Sequence, residues 1–122
     1  MKIAVYGSLR KDAYNYERFK FFFGDDYEYE RTATIRGYKL YDLGIGYPCA
    51  VVDNEHNSEL TVDIVKVSEK CLSTVTSMEI SAGYKPSIID VDGEQVIIYL
   101  FKSPEGTLVK SGDWIKHLNK QK

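Results

Sequence analysis

The chain has 122 residues, 43% of them hydrophobic and 28% charged, with a formal net charge of −2. That length predicts a single domain over residues 1–122 with enough apolar residues for a core of its own. The near-neutral balance argues against a nucleic-acid binder, which needs a basic face to neutralise phosphates.

The opening apolar run Met1–Val5 is too short for a signal peptide. No stretch approaches the roughly 18 apolar residues of a membrane span. A cytoplasmic protein without membrane or nucleic-acid partners is expected, and its oligomeric state is not readable from sequence.

Lys2 to Tyr6 reads as a buried first strand that ends at Gly7, and Gly7 to Lys11 as a loop. From Asp12 to Phe23, aromatics at 16, 19 and 22/23 recur at helical spacing, with Asp12 as the cap and Gly24 as the stop. Tyr27–Ile35 and Tyr38–Tyr41 read as strands, separated by Gly37. The turn-rich run Gly44–Pro48 follows. Ala50–Val52 and Leu60–Val67 are further strands around the polar turn Asp53–Ser58.

Ser68 precedes a helix to about Glu79, with Leu72, Val75 and Met78 on one face. Its many Ser and Thr residues give poor helix propensity, so packing must hold it. Ile88–Val91 and Val96–Phe101 form a hairpin around Asp92-Gly93, a pair suited to positive φ. Asp113 is placed as the cap of a terminal helix, and Trp114 as a core anchor. Many short strands with two or three helices predict an α+β fold, either a mixed sheet or a barrel. The aromatic content of 13% fits packing in a β-rich core.

Gly44-Ile45-Gly46 lacks the third glycine of a dinucleotide fingerprint, and no phosphate-binding loop motif is present. Cys49 and Cys71 read as buried free thiols rather than a bridge. His56 and His117 lack ligand spacing, so no metal is expected. No cofactor is implied.

Two features carry chemistry. A glycine after a buried strand, in Val5-Tyr6-Gly7-Ser8-Leu9-Arg10, can present successive N–H groups to an anion or a developing oxyanion. It can equally be an ordinary turn. Glu79, near a helix C-terminus, is expected to hold its proton more tightly than usual, the more so if it is partly desolvated. That suits a general base near neutral pH, and a solvated glutamate is the plain alternative. Arg10 is expected to face solvent.

These segments together resemble the gamma-glutamylcyclotransferase-like, or AIG2-like, family. Tyr6-Gly7-Ser8-Leu9-Arg10 is similar to its opening motif, and Asn15 stands where members often carry asparagine. Gly37-Tyr38-Lys39-Leu40, Gly46-Tyr47-Pro48-Cys49-Ala50-Val51 and Ser111-Gly112-Asp113-Trp114 resemble later motifs in the same order. Glu79, a few residues before Tyr84, sits where the family has its catalytic glutamate. Thr76-Ser77-Met78 departs from the usual Leu-Asp, Pro86 stands where an arginine is common, and a strand glycine is missing near Val62.

The resemblance implies a small mixed β-barrel with flanking short helices. It also implies cofactor-free cleavage of a small-molecule gamma-glutamyl substrate, whose own amine attacks its γ-carbonyl to give 5-oxoproline. In that scheme Glu79 shuttles the proton. Backbone groups of Tyr6, Gly7, Ser8 and Leu9 hold the glutamyl group, Tyr84 and Tyr99 line the pocket and donate through their hydroxyls, and Arg10, if not solvent-facing, attracts the carboxylate. The departures leave open a hydrolase or acyltransferase in the same pocket, and a binding or inhibitor protein without turnover.

Overall fold

The computed structural model describes residues 1–120. The first strand, β1 (Lys2–Val5), is apolar because both its faces are covered: Ile3, Ala4 and Val5 are all buried. It is the middle strand of a five-stranded sheet ordered β2-β5-β1-β7-β6. In that sheet β2 is Tyr27–Arg36, β5 is Glu59–Val67, β6 is Lys85–Val91 and β7 is Glu94–Leu100. β1 runs antiparallel to β5 and parallel to β7. A second sheet of three strands is ordered β4-β3-β8, from β4 (Pro48–Val52), β3 (Tyr38–Asp42) and β8 (Thr107–Val109).

The α+β class holds, while the closed barrel is corrected to two open sheets. Pro86 lies on the edge strand β6, the position in a sheet where a residue without N–H is tolerated and further pairing is discouraged.

The first helix, α1 (Tyr16–Phe23), begins three residues later than a cap at Asp12 predicts: its cap position is Asn15. Residues 9–15 are held in turns instead: Arg10 N–H donates to the Gly7 carbonyl, Ala13 to Arg10 and Asn15 to Ser8. Phe19 packs on Phe23 and on Tyr27 of β2, whereas Phe21 and Phe22 face solvent.

The second helix, α2 (Glu69–Ser81), starts as read: Ser68 Oγ accepts the Cys71 N–H at 3.1 Å. Its buried stripe is Cys71 and Val75, while Met78 is exposed, so the expected Leu72–Val75–Met78 face is rotated. Four residues on from Val75, the same stripe reaches Glu79.

The β6–β7 hairpin turns at Asp92 and Gly93, with φ of 53° and 84°. A third helix, α3 (Trp114–Lys120), is capped by Asp113, whose Oδ1 accepts the Lys116 N–H at 3.1 Å. Trp114 is buried in the core. Both cysteines are buried and free. Among the described residues no helix is long and apolar enough to cross a membrane.

Candidate active site

β1 delivers the chain from the sheet centre into the segment Tyr6–Arg10. Gly7 is not required there for a positive φ. A Cβ at this position would lie 2.7 Å from Pro48 Cδ and 2.9 Å from Cγ, so the proline ring of β4 admits only hydrogen. The loop is held by its carbonyls. Gly7 C=O accepts from Arg10 N–H at 3.0 Å and Ser8 C=O from Asn15 N–H at 2.9 Å. Leu9 C=O accepts from the buried Tyr27 hydroxyl at 2.9 Å. The amides of Gly7, Ser8 and Leu9 find no acceptor among the described residues. Successive unbonded N–H groups of this kind form an anion-binding concavity. Asn15 Nδ2 also donates to Ser8 Oγ at 3.1 Å, which leaves the hydroxyl proton of Ser8 free to donate.

Glu79 is carried by the last turn of α2, and the end of that helix is built around it. Gly83 has φ of 98°. Its N–H donates to Ile80 C=O, and Tyr84 N–H donates to Glu79 C=O at 2.9 Å. This pair of bonds is the Schellman pattern, and it fixes Tyr84 next to Glu79. The Glu79 carboxyl has no hydrogen-bond or ionic partner among the described residues. Burial raises its pKa to about 7. Of the two causes expected from sequence, the helix terminus and desolvation, it is desolvation, on the stripe shared with Val75, that raises it.

These pieces border one cavity of about 250 Å³. Its wall contains Tyr6, Gly7, Ser8, Leu9, Glu79, Tyr84 and Tyr99, the residues singled out from the sequence, and also Asn15, Tyr47 and Pro48. Tyr47 and Pro48 enter the sequence reading only within a motif of the resemblance, with no site role assigned to them.

Of the two tyrosines expected to donate into the pocket, Tyr84 spends its hydroxyl proton on a backbone carbonyl. Tyr6 donates to the Tyr99 carbonyl and accepts from Ala50 N–H. Tyr84 donates to Pro48 C=O at 2.5 Å. The Tyr99 hydroxyl pairs with Thr76 Oγ1 at 2.7 Å. Burial, and behind it the charge of nearby Glu79, pushes the Tyr84 hydroxyl well above its ordinary pKa, so it stays protonated. The three rings are therefore walls braced by their own hydroxyls. Arg10 does not face solvent either. It is buried against Asp63 and Asp113.

Residues 3–116 match the family model described as gamma-glutamyl cyclotransferase, AIG2-like. The chain belongs to this family. A Methanocaldococcus jannaschii protein, named as a putative gamma-glutamylcyclotransferase, is 34% identical over 121 residues, 92% of this chain and 93% of its own. A Pyrococcus horikoshii crystal structure has a TM-score of 0.80 at 26% identity, covering 99% of this chain and 95% of that one. A mouse AIG2-like protein has a TM-score of 0.74 at 19% identity over 93% of this chain and 86% of its own, a likeness of fold.

Two departures of this AIG2-like chain from the family pattern have places in the structure. Thr76 braces the Tyr99 wall, and Pro86 lies on the sheet edge, outside the cavity lining.

Proposed function

We propose that this AIG2-like protein cleaves a gamma-glutamyl amide by cyclisation to 5-oxoproline and a free amine. One observation carries the reading. A carboxyl with a pKa of about 7 and no protein partner borders the same cavity as three unbonded main-chain amides.

At neutral pH about half of such a carboxyl is ionised, so it can both take and return a proton. Glu79 accepts a proton from the substrate's α-ammonium. The freed amine nitrogen attacks the γ-carbonyl carbon, and its electrons pass to the carbonyl oxygen. The amides of Gly7, Ser8 and Leu9 hold the substrate's carboxylate and that oxygen, where donors matter most as charge develops. Collapse breaks the amide C–N bond: Glu79 returns its proton to the departing nitrogen, and the second proton shed by the ring nitrogen leaves with the amine as its ammonium form. The nucleophile belongs to the substrate, so the protein's contribution is folding it into a ring-closing shape. Such proximity lowers barriers by about 7–11 kcal/mol in favourable cases.

The test is incubation with a panel of gamma-glutamyl amides, assaying 5-oxoproline, glutamate and amine. Cyclisation gives 5-oxoproline and amine in equal amounts. Glutamate in place of 5-oxoproline means hydrolysis, and no product from any amide removes the enzyme reading.

A further inference from the structure

Arg10 and the Ser111-Gly112-Asp113-Trp114 segment have no part in the chemistry above, yet they meet directly beneath the loop that does. We infer that Asp113, acting through Arg10, is a positioning residue for the site: the C-terminal helix start clamps the donor loop Gly7–Leu9 against the sheet. The inference rests on the reading that this loop holds the substrate.

Arg10 immediately follows the three donor amides and is 7% exposed. Its Nη1 lies 2.8 Å from Asp113 Oδ1, across 103 residues of sequence. Its Nε lies 3.4 Å from Asp63 Oδ1 but makes no hydrogen bond. Asp63, at 2% exposure, is engaged independently, accepting Lys11 N–H at 2.7 Å and the Thr32 hydroxyl at 2.8 Å. The loop's exit is therefore tied at Arg10 to α3 and at Lys11 to β5.

Asp113 is itself immobilised. The oxygen that accepts the Arg10 hydrogen bond also caps α3 through Lys116 N–H, and the next residue, Trp114, is 1% exposed. A buried ion pair is a weak source of stability, because desolvation offsets attraction, and its better-supported use is to fix one conformation. What is fixed here is the direction of amides on which catalysis depends. A misplacement of about 1 Å in such a group costs on the order of 10²-fold in rate.

Asp113→Asn separates the clamp from the helix cap, because asparagine caps as well as aspartate while losing the charge that holds Arg10. Val91→Ala is the control: it truncates a buried residue at the far end of β6, outside the cavity lining. The expected result is a fall in kcat of about tenfold or more for Asp113→Asn, with KM changed less than threefold. The acid limb of its pH profile stays at about 7, since Glu79 is untouched. Val91→Ala lowers Tm while kcat stays at the wild-type value.

Hydrogen exchange supplies a readout independent of turnover. The bonded amides of Arg10, Lys11 and Asn15 exchange faster in Asp113→Asn and not in Val91→Ala. Equal kcat in the two variants, or unchanged exchange at these amides, overturns the clamp. A wild type inactive on every gamma-glutamyl amide sinks the proposed function alone, and the exchange comparison still decides the clamp.

Discussion

Glu79 shows how one buried side chain ties stability to activity. Its folded-state pKa of about 7 lies above the ordinary 4.5. The folded state therefore prefers the protonated form. The resulting stabilisation is complete below pH 4.5 and is lost as pH rises through about 7. The proposed catalysis needs the opposite form, the base. Raising the pH through about 7 is thus expected to increase kcat/KM while lowering the stability of the wild type.

Glu79→Gln removes both trends. It is expected to cost about 10²–10⁴-fold in kcat. Above pH 8 it should be more stable than wild type by at most about 3 kcal/mol, a ceiling because the side chain keeps some solvent contact. Below pH 4.5 the two melting temperatures should converge. Thermal melts across pH beside initial rates check this, and a flat Tm difference would remove burial as the cause. The sequence pointed to Glu79 and to Gly7-Ser8 through chain order. It could not show that desolvation tunes Glu79, because burial depends on which face of α2 packs inward. Arg10 was misread for the same reason: its counter-charges, Asp63 and Asp113, lie far along the chain.

At the scale of elements, the end of α2 and the start of β4 are joints that place the site. Gly83 sits at φ of 98° between Glu79 and Tyr84. Gly83→Ala has room for the methyl group, whose nearest neighbour would be Phe101 at 3.7 Å. The backbone strain alone is expected to cost about 1–2 kcal/mol and to loosen the bond that seats Tyr84. A Tm several degrees lower, with kcat reduced more than KM, is the outcome to look for.

Gly7→Ala meets a different obstacle, the Pro48 ring 2.7 Å away. That variant is expected to lose both stability and activity, and Gly7→Ala/Pro48→Ala to recover part of each. A double-mutant cycle measures the coupling, and additive losses would mean that Pro48 is not the reason for glycine. The hairpin was legible because Asp92-Gly93 satisfies a local rule. β8 was not, since three residues carry too little period, and α1 was drawn too long because the turn bonds of residues 9–15 displace the cap expected at Asp12.

Across the whole molecule, the donor loop leaves the middle strand of the larger sheet and is held by parts remote from one another. Tyr27 of β2 bonds Leu9, Asp63 of β5 bonds Lys11, Asn15 bonds Ser8, and Asp113 before α3 bonds Arg10. Such long-range ties explain why the sheet order was beyond the sequence. A period of two marks a strand, but not its neighbours, and the expected barrel closure rested on resemblance alone.

The convergence makes Tyr27→Phe informative. The ring is fully buried and packs on Tyr16 and Phe19, so phenylalanine preserves the packing. Only the hydroxyl is lost, and the Leu9 carbonyl is left without its donor. An unsatisfied buried carbonyl costs about 1–3 kcal/mol. If the loop is held by the fold as a whole, kcat should fall with stability even though Tyr27 does not border the cavity. Chemical denaturation paired with single-turnover rates separates the cases. A loss of stability with an unchanged rate would mean that the remaining ties suffice to aim the amides.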